Sequence, residues 1–396
     1  MGEAKLNIVI FDGSFETTSF IRRFMQGLVN RGHRITVVGF NEYNPHPVSG
    51  VVYQSLGSNQ SKIKLLITSF KLAFKYGFWS QILEVLKEAF KGNRKELQQQ
   101  NMTLVFKMLK PDIVHVQWPS LLTWIEPYLE NEDFKIILSQ RGFHVNVRPF
   151  VNSDNLEYLK KVYPRLDGLH SVSQAISKTG KQIGKPHTGI DQVVYTGVYL
   201  NALHYKPKQQ KGAFLKLISI GRPHWIKDYS TAIKACAILN NQGVNFHYTI
   251  VGAQGDEELL YLIHDLGLEQ NISLTGKMPQ DEVYKHVQQA DVLLMTSIEE
   301  GLANVAVEAM ALGTPVISTD CGGMSELITH EVTGWLVPVG QEERLAEQII
   351  KVNALHLDII NQVTIAARLQ VEQRHSVIEM IAGMEKLYQA VMVSYI

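Results

Sequence analysis

The stretch Thr296-Ser-Ile-Glu-Glu-Gly-Leu-Ala-Asn-Val-Ala-Val-Glu-Ala-Met-Ala-Leu-Gly-Thr-Pro-Val-Ile-Ser318 holds most of the information in this chain. A strand over Asp291–Thr296 ends, an acidic turn containing Gly301 follows, and a helix begins near Asn304. Gly313 is placed as its C-terminal stop, with Pro315 just beyond. A strand–turn–helix of this kind aims the helix N-terminal amides at a ligand, and those amides favour an anion. Glu300 sits beside them, which argues against phosphate as the whole ligand. A carboxylate accepts hydrogen bonds from hydroxyls, so a polyol such as a sugar fits better.

The same alternation runs outward in both directions. Strand candidates in the first half are Asn7–Phe11, Arg34–Phe40, Asp112–Gln117, Lys135–Ser139, Leu169–Ser173 and Gln192–Thr196. The second half restarts with Leu215–Ile220 and continues with His247–Val251, Ile272–Thr275, Asp291–Thr296, Pro315–Ser318 and Gly334–Val337. Phe20, Phe24, Leu28 and Val29 mark a helix over Phe15–Asn30 that Gly32 stops. Many strand runs are apolar on both parities, as parallel strands covered by helices are. The fold class is therefore α/β with two doubly wound Rossmann-like sheets. Residues 1–204 form the first domain, 205–212 a polar linker, 213–375 the second domain, and 376–396 a C-terminal helix expected to pack back on the first. Two such sheets facing one another would bring their strand C-terminal edges to a central cleft.

The chain has 396 residues, with Lys+Arg and Asp+Glu both at 38. That balance argues against a nucleic-acid coat protein, which needs a basic excess. At 45% hydrophobic and 19% charged it is an ordinary globular composition. No apolar run approaches the roughly 18–20 residues of a spanning helix, and the opening MGEAKLNIVIF lacks a signal-peptide apolar region. Two cysteines, Cys236 and Cys321, are too few for a disulfide scaffold and read as buried thiols. The expected location is cytoplasmic.

Glu300 and Glu308 are eight residues apart. On one continuous helix that is roughly 12 Å along the axis, too far for a retaining-glycosidase carboxylate pair at about 5–5.5 Å. Two carboxylates at that spacing suit opposite ends of one long ligand, such as a nucleotide sugar.

Glu300-x7-Glu308, the following Gly-Thr-Pro-Val-Ile-Ser, Cys321-Gly-Gly-Met-Ser-Glu326 and Thr333-Gly-Trp-Leu-Val-Pro338 together resemble the family-4 retaining glycosyltransferases of GT-B fold. Ser219-Ile-Gly-Arg-Pro-His-Trp-Ile-Lys-Asp228 is similar to that family's Gly-Arg…Lys-Gly segment, with Asp228 standing where the family has Gly. The resemblance also covers Val251-Gly252, Leu274-Thr-Gly-Lys277 and Ala290-Asp291, in the expected order. It implies that Arg222 and Lys227 stabilise the leaving diphosphate, that Glu308 takes the ribose hydroxyls and that Glu300 takes those of the transferred sugar. Backbone around Gly301, Leu302, Ala303 and Asn304 would hold sugar and phosphate. Gly252 would lie by the donor, and Gly13 would stand for the family's glycine loop after the first strand. Near the next sugar-contacting position the chain has Arg141, with His144 three residues on; both are candidate sugar or acceptor contacts.

The implied activity is a retaining transfer of a hexose-type sugar from a nucleotide diphosphate sugar to a hydroxyl, in polysaccharide or glycolipid assembly. Arg222 and Lys227 would replace a divalent ion, so no metal or cofactor is expected, and no zinc-type spacing occurs. Competing readings are an idle sugar-nucleotide-binding scaffold and an epimerase or phosphorylase on the same fold. Residue by residue, Glu308 also reads as a solvated helix carboxylate and Arg222 as a surface ion-pair partner. Gly322 and Gly323 read as a tight turn, Glu326 as a helix-terminus carboxylate, His33 as a polar turn residue and His115 as a packed histidine.

Leu66, Phe70, Phe74, Phe78, Ile82, Leu86 and Phe90 recur every four residues, a row too long for one straight helix face, so two helices broken near Gly77 are expected. Lysines accompany them through residues 62–95. Packing of this row on the first sheet is favoured over peripheral contact with an anionic inner-membrane face, which would imply a lipid-linked acceptor.

Overall fold

The computed structural model of the chain describes residues 5–44, 46–75, 87–88 and 91–393. It divides into two compact units. The first comprises the chain up to Val172, Ser177–Val194 and Met380 onward; the second comprises Ser173–Ile176 and Tyr195–Glu379.

The first unit holds a parallel sheet of β1 (Asn7–Gly13), β2 (Arg34–Gly39), β3 (Val51–Ser55), β4 (Ile113–Val116), β5 (Lys135–Gln140), β6 (Gly168–Ser171) and β7 (Asp191–Val193). Their spatial order is β3-β2-β1-β4-β5-β6-β7. Strands β4, β5 and β6 are buried at every position, so their centres are mostly apolar or small residues, and the polar His115, Lys135, Gln140 and His170 are buried with them. The sequence reading lacks β3. It is an edge strand with no fully buried residue, and Val52 is 55% exposed, so its pattern carries no burial signal. The first helix spans Ser19–Asn30, shorter than expected. Phe15 is buried in the preceding loop, where Asn41 Oδ1 accepts its N–H at 3.1 Å.

The second unit repeats the plan with β8 (Leu215–Ile220), β9 (Phe246–Val251), β10 (Ile272–Thr275), β11 (Val292–Met295), β12 (Val316–Thr319) and β13 (Trp335–Val337). The order is β10-β9-β8-β11-β12-β13, parallel throughout. The helix Asn304–Leu312 is buried on all sides from Ala306 to Leu312, including Glu308. Gly313 caps it at φ 86°, where a side chain would be strained and would strike Lys206 O.

Residues 205–212, read as a linker, are tied to the second unit. Lys206 N donates to Leu312 O at 3.1 Å and Lys208 N to Asn361 Oδ1 at 2.9 Å. The Lys208 ammonium donates to the carbonyls of Gln288 and Ala290. A C-terminal helix spans Val377–Val393, and its Leu387 and Tyr388 are fully buried. Glu385 on this helix accepts from Arg31 at 2.8 and 3.0 Å and meets His33 Nε2 at 3.0 Å. His33 is therefore buried and fastened rather than a polar turn residue; its Nδ1 also accepts Leu6 N–H.

Lys62–Lys75 is a helix burying Leu65, Ser69, Leu72 and Ala73. Leu66 and Phe70 pack against Leu65 and Leu97, whereas Ile63, Ile67 and Phe74 are exposed. Gly77, Phe78, Ile82, Leu86 and Phe90 lie outside the described residues. Among those described, no helix is long and apolar enough to cross a membrane.

Candidate functional site

In a parallel sheet all strand C-termini share one edge, and ligands bind where the strand order reverses. In the second unit that point lies between β8 and β11. The loop after β8 carries Arg222 and Lys227; the loop after β11 carries Glu300.

These loops are stitched together. Ile298 N donates to Ile226 O at 2.8 Å, and Thr296 Oγ1 to Lys227 O at 3.0 Å. Lys227 Nζ pairs directly with Glu300 Oε1, which also accepts from Ser297 Oγ at 3.0 Å. Arg222 is exposed, and among the described residues no partner engages its guanidinium. Gly252, at φ 94°, lies against the Gly221 carbonyl at the end of β9, so its backbone borders the Arg222 loop. Tyr229 donates to Gly221 O at 3.1 Å. Burial, and then the charge of Glu300, pushes its phenol above the ordinary range.

Glu300 lies on the loop, not on the helix. Gly301 and the extended Ala303 (φ −81°, ψ 110°) break the chain before Asn304, so the continuous-helix spacing to Glu308 does not apply. Ala303 supplies no side-chain cap to the helix, whose Ala306 N and Val307 N turn back to Ala303 O. Asn304 Oδ1 is buried without a partner among the described residues. Glu308 is 6% exposed, with Gln280 Nε2 at 3.3 Å and Tyr284 OH at 3.4 Å. It is a buried carboxylate met by long, neutral donors rather than a solvated one.

Four residues that support this loop were not legible as site residues: Gly322, Gly323, Ser297 and Thr296. Gly322 and Gly323 do more than turn the chain: a Cβ on either would lie 1.7 Å from Glu300 O or 2.1 Å from Gly301 O. Gly323 N donates to Glu300 O at 3.1 Å, so the glycine pair backs the loop of Glu300. Ser297 and Thr296 act through hydroxyls in what reads as plain strand end. Glu326 caps a helix, accepting from Gln174 N and Ala175 N at 2.8 Å each. Cys236 and Cys321 are both buried and free, and burial pushes the Cys321 thiol up to about 12.

The first unit has its own reversal point, between β1 and β4. Gly13 ends β1 at φ 74°, packed on Leu121. Beside it the Asp12 carboxylate accepts from Trp118 Nε1. Burial raises Asp12 to about 6 despite that bond and the nearby charge of Arg141. Arg141, leaving β5, donates from Nη2 to Gln117 Oε1 at 2.9 Å and Ser139 Oγ at 3.2 Å, with the Phe20 ring 4.5 Å from its guanidinium carbon. Burial lowers Arg141 to about 10, which leaves it charged at neutral pH. His144 lies 6.1 Å from the Trp118 ring, and burial, then Arg148, lowers its pKa. Behind Arg141, His115 is packed between Ser139 Oγ and Tyr388 OH, both at 2.8 Å. Asp12, Gln117 and Trp118 were not picked out by the sequence. Their one signal is position, each standing at or just beyond the end of a strand that flanks the reversal point.

Among the described residues no three His, Cys, Asp or Glu side chains converge as a metal site requires.

Comparison with known proteins bears on both units. The chain is 35% identical over 229 residues to the amylovoran biosynthesis glycosyltransferase AmsK of Erwinia amylovora, covering 55% of this chain and 56% of that one. It is 31% identical over 245 residues to the putative colanic acid biosynthesis glycosyltransferase WcaL of Escherichia coli K12, covering 60% of each. The matched stretch thus spans a little over half of these relatives' length. Among solved structures, a sucrose-phosphate synthase from Thermosynechococcus elongatus superposes with a TM-score of 0.75 at 16% identity, over 98% of this chain and 99% of that one. Anabaena HepE in complex with UDP-glucose superposes at 0.72 and 19% identity, over 96% and 99%. The chain therefore has the GT-B fold of two parallel-sheet Rossmann-like domains, and its residues 204–362 match the family model described as glycosyl transferases group 1.

Proposed function

We propose that this chain is a retaining, metal-independent glycosyltransferase, moving a hexose-type sugar from a nucleotide diphosphate sugar to a hydroxyl acceptor in polysaccharide or glycolipid assembly. The observation that carries the reading is the Lys227–Glu300 pair, with exposed Arg222 on the same loop as Lys227, at the reversal point of the second sheet. It lies inside the segment matching the glycosyl transferase model. AmsK and WcaL are named for amylovoran and colanic acid biosynthesis, which favours a saccharide acceptor.

On this reading the arriving diphosphate takes Lys227 from Glu300, and the freed carboxylate turns to the sugar hydroxyls. Glu308 accepts from the ribose hydroxyls, replacing its long contacts to Gln280 and Tyr284. As the bond from the sugar carbon to phosphate oxygen breaks, negative charge grows on the leaving diphosphate. Arg222 and Lys227 stabilise it more there than in the ground state, which is what lowers the barrier. The acceptor oxygen bonds to the sugar carbon on the face the phosphate leaves, and its proton passes to a phosphate oxygen. The protein would work in the cytoplasm, with peripheral membrane contact through residues 62–95 where Ile63, Ile67 and Phe74 are exposed among lysines.

The test is a thermal-shift panel of nucleoside diphosphates and nucleotide sugars in metal-free buffer, starting with UDP and UDP-glucose because HepE was solved with them. A ligand at 100 times its dissociation constant adds about 2.7 kcal/mol. Glu308→Gln is expected to lose roughly tenfold or more in donor affinity, and Arg222→Ala about 10²–10³ in kcat. If both variants turn over normally, the assigned site is wrong. Donor binding without product from any acceptor points instead to an idle scaffold.

A further inference from the structure

We propose that the reversal point of the first sheet is an oxyanion-recognition site built on Arg141, and that the acceptor it takes is a saccharide carrying a carboxylate or phosphate substituent. Calling that ligand the acceptor rests on the glycosyltransferase reading; the anion site itself does not.

A guanidinium that is largely withdrawn from water, as half-buried Arg141 is with its Nε sealed off, normally has a carboxylate or phosphate partner, because neutral oxygens alone poorly offset its desolvation. Arg141 forms no ion pair among the described residues. Its Nη2 reaches two neutral oxygens, Gln117 Oε1 and Ser139 Oγ, and its Nε is buried with no acceptor. Asp12 is near enough to act on it electrostatically, yet accepts from the Trp118 indole instead.

The residue is nevertheless held in place. Ser139 Oγ is itself fixed by His115 Nε2 and His170 Nδ1, both at 2.8 Å. Phe20 and Trp118 flank the guanidinium, with ring centroids 4.5 and 5.6 Å from its central carbon. These rings exclude water and strengthen any charge–charge contact made there. A planar, oriented guanidinium matches a carboxylate or phosphate through paired N–H donors. The next residue, Gly142 at φ 37°, has no side chain to obstruct approach. All of this stands at the C-terminal ends of β1, β4 and β5, where an open parallel sheet binds ligands. A neutral sugar would leave the guanidinium without an anion bonded to it directly.

The test uses the full chain and calorimetric titration with methyl β-D-glucuronide, glucose 1-phosphate, methyl β-D-glucoside and UDP. Each titration is repeated in Arg222→Ala, so that phosphate captured by the second unit is recognised. A glucuronide preference assigns a carboxylate; a glucose 1-phosphate preference that persists in Arg222→Ala assigns a phosphate. In either case the anionic ligand should bind roughly tenfold or more tighter than the glucoside. Arg141→Gln should bring it to the glucoside level and Arg141→Lys should keep part of the preference. Asp12→Asn, which removes the competing carboxylate, should tighten it and decides the matter if Arg141→Gln melts early. Equal binding of all three sugars, or an unchanged preference in folded Arg141→Gln, overturns the proposal. The UDP arm separates the two readings: UDP bound without anion preference removes only the anion site, while anion preference without any nucleotide binding removes the donor reading and leaves this site standing.

Discussion

Asp228 stands where the resembled family has glycine, and its backbone shows why: φ is 45° and ψ 51°, the left-handed region. Asp tolerates this region better than most residues. Here it also caps the helix Tyr229–Asn241, accepting from Thr231 N at 3.2 Å and from Thr231 Oγ1 at 2.6 Å. The loss of conformational ease is offset by the cap, and the loop that presents Lys227 keeps its shape. Asp228→Gly is therefore expected to stay within about 1 kcal/mol of the parent and to keep turnover. Asp228→Ala, which loses the cap and keeps the strain, should cost about 1–2 kcal/mol. Urea midpoints of the two variants decide this, and equal midpoints would show that the left-handed backbone at this position carries no strain for alanine.

Whole loops and helix faces depend on single residues at two places, Gly322 and the exposed face of Lys62–Lys75. Gly322 lets the loop after β12 lie on the loop of Glu300, with a would-be Cβ only 1.7 Å from Glu300 O. Gly322→Ala should push Glu300 out of reach of its ligand and lower turnover by about 10²-fold, since small misplacements cost that much. Far-UV circular dichroism should be unchanged, and parent-like kinetics in the variant would refute the backing role. The helix Lys62–Lys75 is only half explained by packing. Leu65 and Leu72 face inward, but Phe74 is 70% and Ile63 72% exposed, among Lys64, Lys71 and Lys75. An apolar, basic face of this kind suits an anionic bilayer surface. A Phe74→Ser/Ile67→Ser double variant should co-sediment several-fold less with anionic vesicles; undiminished pelleting would leave the face merely solvated.

At the scale of the whole molecule, pH dependence of stability follows from the buried ionisable groups. Asp12 is raised from 3.8 to about 6 by burial. Between those values the native chain keeps a proton that the unfolded chain has released. Stability therefore falls as pH rises from about 4 to about 6, and the cost of charging Asp12 persists above that. Asp12→Asn should raise the melting point at pH 7.5, by up to about 3 kcal/mol of stability, with the gain vanishing below about pH 4. A variant that melts like the parent at pH 7.5 would show Asp12 to be solvated. His170 acts in the opposite sense, since burial and then Arg141 lower it to about 3. The unfolded chain takes up that proton first, so stability is lost as pH falls below about 6.5. Glu385 adds to this acid sensitivity. Burial alone would raise it, but Arg31 and His33 hold it below its ordinary value, so its contribution is lost as pH falls through the carboxylate range.

Sequence by itself determined the alternation of strand and helix, because strands buried on both faces carry apolar residues on both parities, as β11 does, and Gly313 stands where the backbone turns left-handed. It also placed Arg222, Lys227 and Glu300 on loops leaving strands, since those loops are local. It was silent on β3, whose half-exposed edge has no burial period, and wrong about His33, whose partner Glu385 lies 352 residues away. Only the tertiary structure decided that Glu300 pairs with Lys227, that Gly322 and Gly323 support its loop, and that Asp12, Gln117 and Trp118 gather around Arg141. Each of these is a meeting of strand ends far apart in the chain. Which ends meet is set by the order of strands across the sheet, a long-range packing outcome that no local pattern encodes.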